Sequence, residues 1–292
     1  MIPSEIADSL QDWFEKNREP AFKIHSCSPL GGGSINQVYK INTGSGIFCL
    51  KFNQASRFPQ MFETEARGLS LLRNAKEIRI PRVITVQTLE RYSYILLEYI
   101  EAAPKQSCFM QNLGRSLAKL HGNRADLFGL DHDNYMGALP QSNAEHQTWI
   151  SFFIEERIEI QVKLARDAGL LSSENQQSFQ RLYKRLETFF PYEKPSLVHG
   201  DLWNGNVIVS ETGNACLIDP AVYFGHREID IAMTTLFGGF GGDFYKSYQE
   251  AFPMEQNWEE RLEVYNLYPL LIHLNLFGTG YLGSILSVLK KF

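Results

Sequence analysis

Apolar and polar positions change their period four times along the chain. Ile6, Leu10, Trp13 and Phe14 recur at helical spacing and predict a short amphipathic leading helix. Residues 38–41 and 47–52 then read as strands. The turn between them, Asn42-Thr43-Gly44-Ser45-Gly46, carries glycines that permit positive φ in a tight hairpin. Apolar side chains at 62, 66, 69 and 72 restore a helical period, with Glu63 and Glu65 in the first turns where the helix dipole favours them. Two further strands are expected at 82–86 and 92–99. Beyond about residue 101 helical periods dominate, over Leu113, Leu117 and Leu120, then 149–168, 179–189 and 258–289, the last interrupted at Gly278, Gly280 and Gly283. This organisation predicts a two-lobed α+β fold: residues 1–100 as a small antiparallel-sheet lobe and 101–292 as a larger, mainly helical lobe.

Composition narrows the function classes. A chain of 292 residues, 44% hydrophobic and 21% charged, is long enough for a sizeable core, which argues against disorder. Lys and Arg number 28 against 33 Asp and Glu, a net charge of −5, and no basic run occurs, so a nucleic-acid partner is not expected. Cys27, Cys49, Cys108 and Cys216 lie far apart without a C-x-x-C pair, which fits isolated thiols in a reducing compartment rather than a zinc site or disulfide framework. The first residues lack a basic, apolar leader, and no stretch of about 18 apolar residues appears. A soluble cytoplasmic protein with no membrane partner is expected.

One segment interrupts the helical region with short apolar runs and turn residues. It reads Leu197-Val198-His199-Gly200-Asp201-Leu202-Trp203-Asn204-Gly205-Asn206-Val207-Ile208-Val209, and Leu217-Ile218-Asp219-Pro220 follows. Phosphoryl transfer needs a carboxylate near the acceptor hydroxyl, plus a second carboxylate and an amide oxygen to hold Mg²⁺ against nucleotide phosphates. A loop followed by a hairpin returns the chain to one place within about twenty residues. Asp201 is therefore the candidate base, with Asn206 and Asp219 as metal ligands; the bland alternative is a set of polar turns.

Other features gain meaning beside that segment. Lys51 ends the strand Ile47-Phe48-Cys49-Leu50-Lys51, and Glu65 on the next helix can pair with it and hold it against ATP phosphates. Glu63 competes for that role, but two positions apart on a helix the two cannot both face Lys51. Gly31, Gly32, Gly33 and Ser34 precede the first clear strand, where a backbone can approach phosphates without Cβ obstruction. The cluster is not a Walker-type P-loop, and a flexible turn is its alternative. Glu98, Tyr99 and Ile100 close the small lobe and are candidates for an adenine-binding linker; an edge strand would read the same.

These residues resemble the fructosamine-3-kinase (ketosamine kinase) family, in the aminoglycoside-phosphotransferase branch of protein-kinase-like folds. The resemblance runs from about Gly31 to near the C-terminus. It rests on Trp203 within the catalytic segment, on Phe128-Gly129, Asn134-Tyr135-Met136-Gly137, Pro140-Gln141, Asn143 and Trp149, and on Tyr223-Phe224-Gly225-His226-Arg227-Glu228-Ile229-Asp230-Ile231-Ala232-Met233. It implies ATP- and Mg²⁺-dependent phosphorylation at O3 of a ketoamine sugar, after which the adduct decomposes and frees the amine. The substrate would be a small ketoamine or a glycated protein.

Trp203 is expected to stack on the sugar or its amine-bearing linker, with packing under the loop as the alternative. Asn134 and Tyr135 are further substrate candidates. Glu228 either braces the fold or approaches substrate, and His226 and Arg227 either contact substrate or fix their segment. Asp230 resembles the buried aspartate that braces the catalytic loop, and His199 is expected to support that loop. Some family members carry a cysteine in the glycine-rich loop that links two chains; Ser34 stands in that region here, so a redox-linked dimer through that loop is not expected, and the chain is read as a monomer. The rival readings are a kinase for an aminoglycoside, choline or a free sugar, and a pseudokinase that serves as an interaction module.

Overall fold

The computed structural model describes residues 2–17, 22–31 and 35–292. Helix α1 (Ser4–Lys16) precedes β1 (Ile24–Pro29), β2 (Gln37–Thr43), β3 (Gly46–Gln54), helix α2 (Met61–Ala75), β4 (Val83–Thr88) and β5 (Tyr92–Glu98). The five strands form one antiparallel sheet in the order β1-β2-β3-β5-β4. Strand β1 has no apolar alternation and is exposed along nearly all its length, so the pattern of apolar positions gives no sign of it.

Period-two alternation sorts the two faces of the sheet. Phe48, Leu50 and Phe52 of β3 and Tyr94 and Leu96 of β5 pack on Ile6, Leu10 and Phe14 of α1. Ile95 and Leu97, one step out of phase, face α2 with Phe62, Leu69 and Leu72. That second core continues into the helical region. Because Lys51 lies between Leu50 and Phe52, the same alternation turns it toward α2 and the cleft.

The helical region begins with α3 (Phe109–His121) and a short hairpin, β6 (Asn134–Met136) and β7 (Leu139–Gln141). One long helix was expected over 149–168. The chain instead forms α4 (Trp149–Phe152), a π-helical stretch over Phe153–Glu159, and α5 (Ile160–Asp167). Helix α6 (Ser173–Phe189) starts at a capping box between Ser172 and Asn175. Then come β8 (Ser196–Val198), a 3₁₀ turn at Asn204–Asn206, β9 (Val207–Val209), β10 (Ala215–Leu217) and β11 (Tyr223–Gly225). Strands β9 and β10 form a hairpin, and β11 returns to pair with β8. Helices α7 (Glu228–Met233), α8 (Gly242–Ala251), α9 (Trp258–Tyr265), α10 (Leu267–Phe277) and α11 (Leu282–Leu289) complete the chain. Gly278, at φ +87°, separates the last two, at an interruption visible in the sequence. Among the described residues no helix is long and apolar enough to cross a membrane.

Candidate active site

A cleft of about 480 Å³ lies between the sheet and the helices. Lys51, Glu65, Asp201, Trp203, Asn206 and Asp219 all border it. Residues from four segments thus converge on one space.

The catalytic segment is held from beneath by Asp230. Its carboxylate accepts the backbone N–H of His199 at 2.7 Å and of Gly200 at 2.9 Å, and lies 3.1 Å from His121 Nε2. Burial alone would raise the Asp230 pKa, but the His121 hydrogen bond and the loop amides hold it below the ordinary value. His199 Nε2 donates to the Ile218 carbonyl at 3.0 Å, and burial keeps the ring neutral. Its other nitrogen faces the Asp201 amide at 3.3 Å, so His199 is a brace with both nitrogens occupied.

Gly200 sits at φ +81°, and a Cβ there would lie 2.0 Å from the Ala221 carbonyl oxygen. The Ala221 amide in turn donates to the His199 carbonyl at 2.9 Å. This close approach sets the Asp201 loop against the segment that follows Asp219. Gly200→Ala is expected to destabilise the protein by more than about 1–3 kcal/mol, through strain at positive φ plus backbone collision; thermal unfolding checks it, and an unchanged Tm would contradict the contact.

Asn206 joins the two carboxylates. Its Nδ2 donates to the Asp201 backbone oxygen at 2.8 Å and to Asp201 Oδ2 at 3.0 Å, which leaves Oδ1 for another partner. The Ile218 amide donates to the Asn206 carbonyl at 3.1 Å, which brings Asp219 alongside. Asp219 has φ +54°, a left-handed conformation that aspartate tolerates better than most residues, and 47% of its side chain is open to the cleft. Burial, set against the Asn206 hydrogen bond and reinforced by Asp219 and Asp230, pushes the Asp201 carboxyl up to about 7.

Lys51 reaches across from β3. Its Nζ donates to Glu65 Oε1 at 2.7 Å and also contacts Asp219 Oδ1. Burial works against the ammonium, but the carboxylates of Asp219 and Glu65 outweigh it and hold its pKa above the ordinary value. Glu63 instead accepts a hydrogen bond from Thr88, so the helix presents Glu65 to the lysine and turns its competitor away. The donor set fits a magnesium nucleotide: hard oxygens from Asn206 and Asp219 beside a fixed cation.

Residues 6–292 match the model of the fructosamine kinase family. The chain belongs to the fructosamine kinase family. A protein from Lactiplantibacillus plantarum named probable ketoamine kinase is 38% identical over 276 residues, 94% of this chain and 96% of that protein. The chloroplastic protein-ribulosamine 3-kinase of Arabidopsis thaliana is 35% identical over 293 residues, 98% of this chain and 87% of the relative. The crystal structure of a fructosamine-3-kinase candidate from Haemophilus somnus superposes with a TM-score of 0.87 at 28% identity, covering 99% of this chain and 96% of that one. Aminoglycoside phosphotransferase APH(4)-Ia shares the fold alone, with a TM-score of 0.63 at 14% identity. The likeness to aminoglycoside kinases is therefore architectural, and the expected two-lobed kinase-like fold is the one observed.

Several expected contacts lie elsewhere in the chain. Glu228 and His226 are fully buried and do not border the cleft, which corrects their reading as substrate residues. Glu228 forms a paired ion bridge with Arg261, at 2.6 and 2.7 Å. His226 is enclosed by Trp149, Phe190 and Tyr265, and burial pushes it down to about 4. Arg227 clasps Glu193 and the carbonyls of Phe252 and Pro253, so it fixes its own segment. Glu228→Gln is expected to cost about 3 kcal/mol by leaving Arg261 unpaired in the interior, while KM for the acceptor stays near the parent value. A raised KM without a lower Tm would return Glu228 to the substrate site.

Asn134 borders the cleft, but its amide is already engaged. Nδ2 donates to the Val222 carbonyl at 2.8 Å, and Oδ1 accepts from Gln141 and Asn143. It supports the chain after Asp219, which corrects its assignment to substrate. Tyr135 does line the cleft, and its hydroxyl donates to the Pro59 carbonyl at 3.0 Å, bridging to the loop before α2. Trp203 lines the cleft with its indole laid over Gly205, where a Cβ would collide at 2.3 Å.

The linker residues Glu98, Tyr99 and Ile100 do not border this cleft. The Glu98 carboxylate instead pairs with Arg79 at 2.5 Å and accepts the Arg82 amide, which turns its side chain away. Gly31 is exposed, whereas Gly32, Gly33 and Ser34 lie outside the described residues. The far wall of the cleft, formed by Phe237 and by α10 with the turn after it, was missed. His273 within the apolar run of α10 was its one available signal.

Proposed function

We propose that this chain transfers the γ-phosphoryl group of ATP to the O3 hydroxyl of a ketoamine, a fructosamine or ribulosamine adduct. The reading rests on the convergence of Asp201, Asn206, Asp219 and the Lys51–Glu65 pair on one cleft, in a chain of this family. Asp201 accepts the proton as the hydroxyl oxygen attacks, and its raised pKa makes it a base matched to neutral pH. Asn206 Oδ1 and Asp219 would hold Mg²⁺, which when bound offsets negative charge on the phosphate oxygens. Lys51, charged and aimed by Glu65, steadies the phosphates. Trp203 and Tyr135 line the acceptor side and keep water from the reacting oxygens. The Ile100 amide lies past the last ladder pair, Phe48 with Glu98, which suits an adenine edge at the linker. Gly31 through Ser34 would cover the phosphates.

The chain is read as cytoplasmic and as a monomer, and light scattering checks its mass in solution. The decisive assay is phosphate transfer from ATP to fructosyl-lysine and ribulosyl-lysine residues within a peptide, with and without Mg²⁺. Transfer to both adducts only with Mg²⁺ is expected. Transfer to an aminoglycoside or a free sugar in preference would overturn the reading.

A further inference from the structure

The far wall of the cleft is aromatic and carries no formal charge. Phe237 lies tilted against His273 with ring centroids 4.7 Å apart, and His273 lies 5.0 Å from Tyr281 and 5.5 Å from Phe277. Trp203 meets Phe237 edge-on at 6.0 Å, which joins this wall to the catalytic segment. On α10, Ile272, His273, Leu276 and Phe277 fall at helical spacing that turns one face to the cleft. Among the described residues bordering the cleft, the carboxylates are Glu65, Asp201 and Asp219, all on the phosphoryl side.

Three observations say that this wall is built for a ligand. Four large apolar side chains are exposed among the described residues; two of them, Phe237 at 40% and Phe277 at 56%, border this one cavity. Exposed aromatic surface beside a pocket is a binding surface by default. Phe237 also holds a left-handed backbone at φ +50°, followed by Gly238 and Gly239 at φ +106° and +54°. Such strain at a bulky residue persists where its position is used. Finally, His273 Nδ1 donates to the Pro269 carbonyl at 2.7 Å, so Nε2 is a bare acceptor. Burial keeps that ring neutral, so it adds no repelling charge.

Resting on the ketoamine reading above, we propose that Phe237, His273, Phe277 and Tyr281 form the specificity surface for the amine-borne half of the adduct. The surface takes one ammonium with an apolar substituent and rejects a second cation. The ring faces attract the single ammonium of a ketoamine, and His273 Nε2 accepts a hydrogen bond from its N–H or a sugar hydroxyl. The apolar substituent covers Phe277 as it leaves the cleft. A second ammonium in that position would replace the apolar contact with Phe277 and meet no carboxylate in return. A lysine side chain within a protein satisfies this rule, because the neighbouring chain carbons are apolar and its only amine is the glycated one.

The test is a matched panel of fructosamines made from methylamine, butylamine, benzylamine and putrescine. The putrescine adduct is the butylamine adduct with an ammonium added at the far end. We expect kcat/KM for the benzylamine adduct to exceed that for the methylamine adduct by roughly 5–30-fold, and the butylamine adduct to exceed putrescine by about 10-fold or more. Phe277→Ala should collapse the benzylamine advantage to below about 3-fold. Phe277→Glu should narrow or invert the butylamine-to-putrescine ratio, because it supplies the missing carboxylate. Phe277 is exposed, so both variants retain the fold, which an unchanged Tm verifies. A flat panel, a parent enzyme that prefers putrescine, or ratios unmoved by both variants would overturn the proposal while leaving ketoamine phosphorylation standing. Failure to phosphorylate any adduct would overturn both.

Discussion

Asp201→Asn is expected to lower kcat by about 10²–10⁴-fold while ATP affinity stays near the parent value. The substitution keeps the Asn206 contact to the backbone oxygen of residue 201 and removes only the carboxylate that accepts the proton. The pH dependence follows from the same group. A base that ionises near 7 must be deprotonated to act, so kcat/KM for the parent should rise with pH and level off above about 7. The variant should lose that limb.

Stability moves the other way. The folded carboxyl holds its proton to a higher pH than the unfolded one, so the native state binds more protons between the ordinary carboxylate range and about 7, and stability falls as pH rises through that window. Asp201→Asn escapes this loss and should unfold at a higher temperature than the parent above neutral pH. Turnover retained by the variant would exclude Asp201 as base. A lower Tm at pH 8 would show that its ionised form is not under desolvation strain.

Lys51→Met should lower kcat/KM for ATP by roughly 10²–10³-fold, the scale of losing a fixed charge at the phosphates. It should also destabilise the fold by about 3–5 kcal/mol, because Glu65, with 11% of its side chain exposed, is left without a counter-charge. The double variant Lys51→Met/Glu65→Gln separates these effects: it should recover most of the stability and none of the turnover. Recovery of turnover with stability would mean that Lys51 serves the fold alone. If neither returned, the loss would lie with Asp219, which Lys51 also contacts.

Residues that act through a local spacing were legible in the chain. His199 to Asn206 is one loop and one 3₁₀ turn, and a hairpin delivers Asp219, so backbone geometry alone brings Asp201, Asn206 and Asp219 together. Lys51 was legible for a related reason, since alternation between Leu50 and Phe52 leaves it one face to occupy. Glu228, His226 and Asn134 misled because a polar residue in a distinctive motif reads alike whether it faces substrate or an internal partner. The partners that decide are Arg261 for Glu228, an aromatic enclosure for His226 and the Val222 carbonyl for Asn134, each distant in sequence from the residue it engages.

By itself, then, the sequence determined the lobed alternation of sheet and helix, the catalytic loop with its hairpin, and the strand lysine with its helix glutamate, because each depends on periodicities and turns of a few residues. Only the tertiary structure decided that Glu65 rather than Glu63 meets Lys51, that the helix over 149–168 carries a π-helical stretch, and that Phe237, His273, Phe277 and Tyr281 share one wall. Those outcomes depend on which faces of distant elements pack together. Packing is set by the whole core, and no local pattern encodes it.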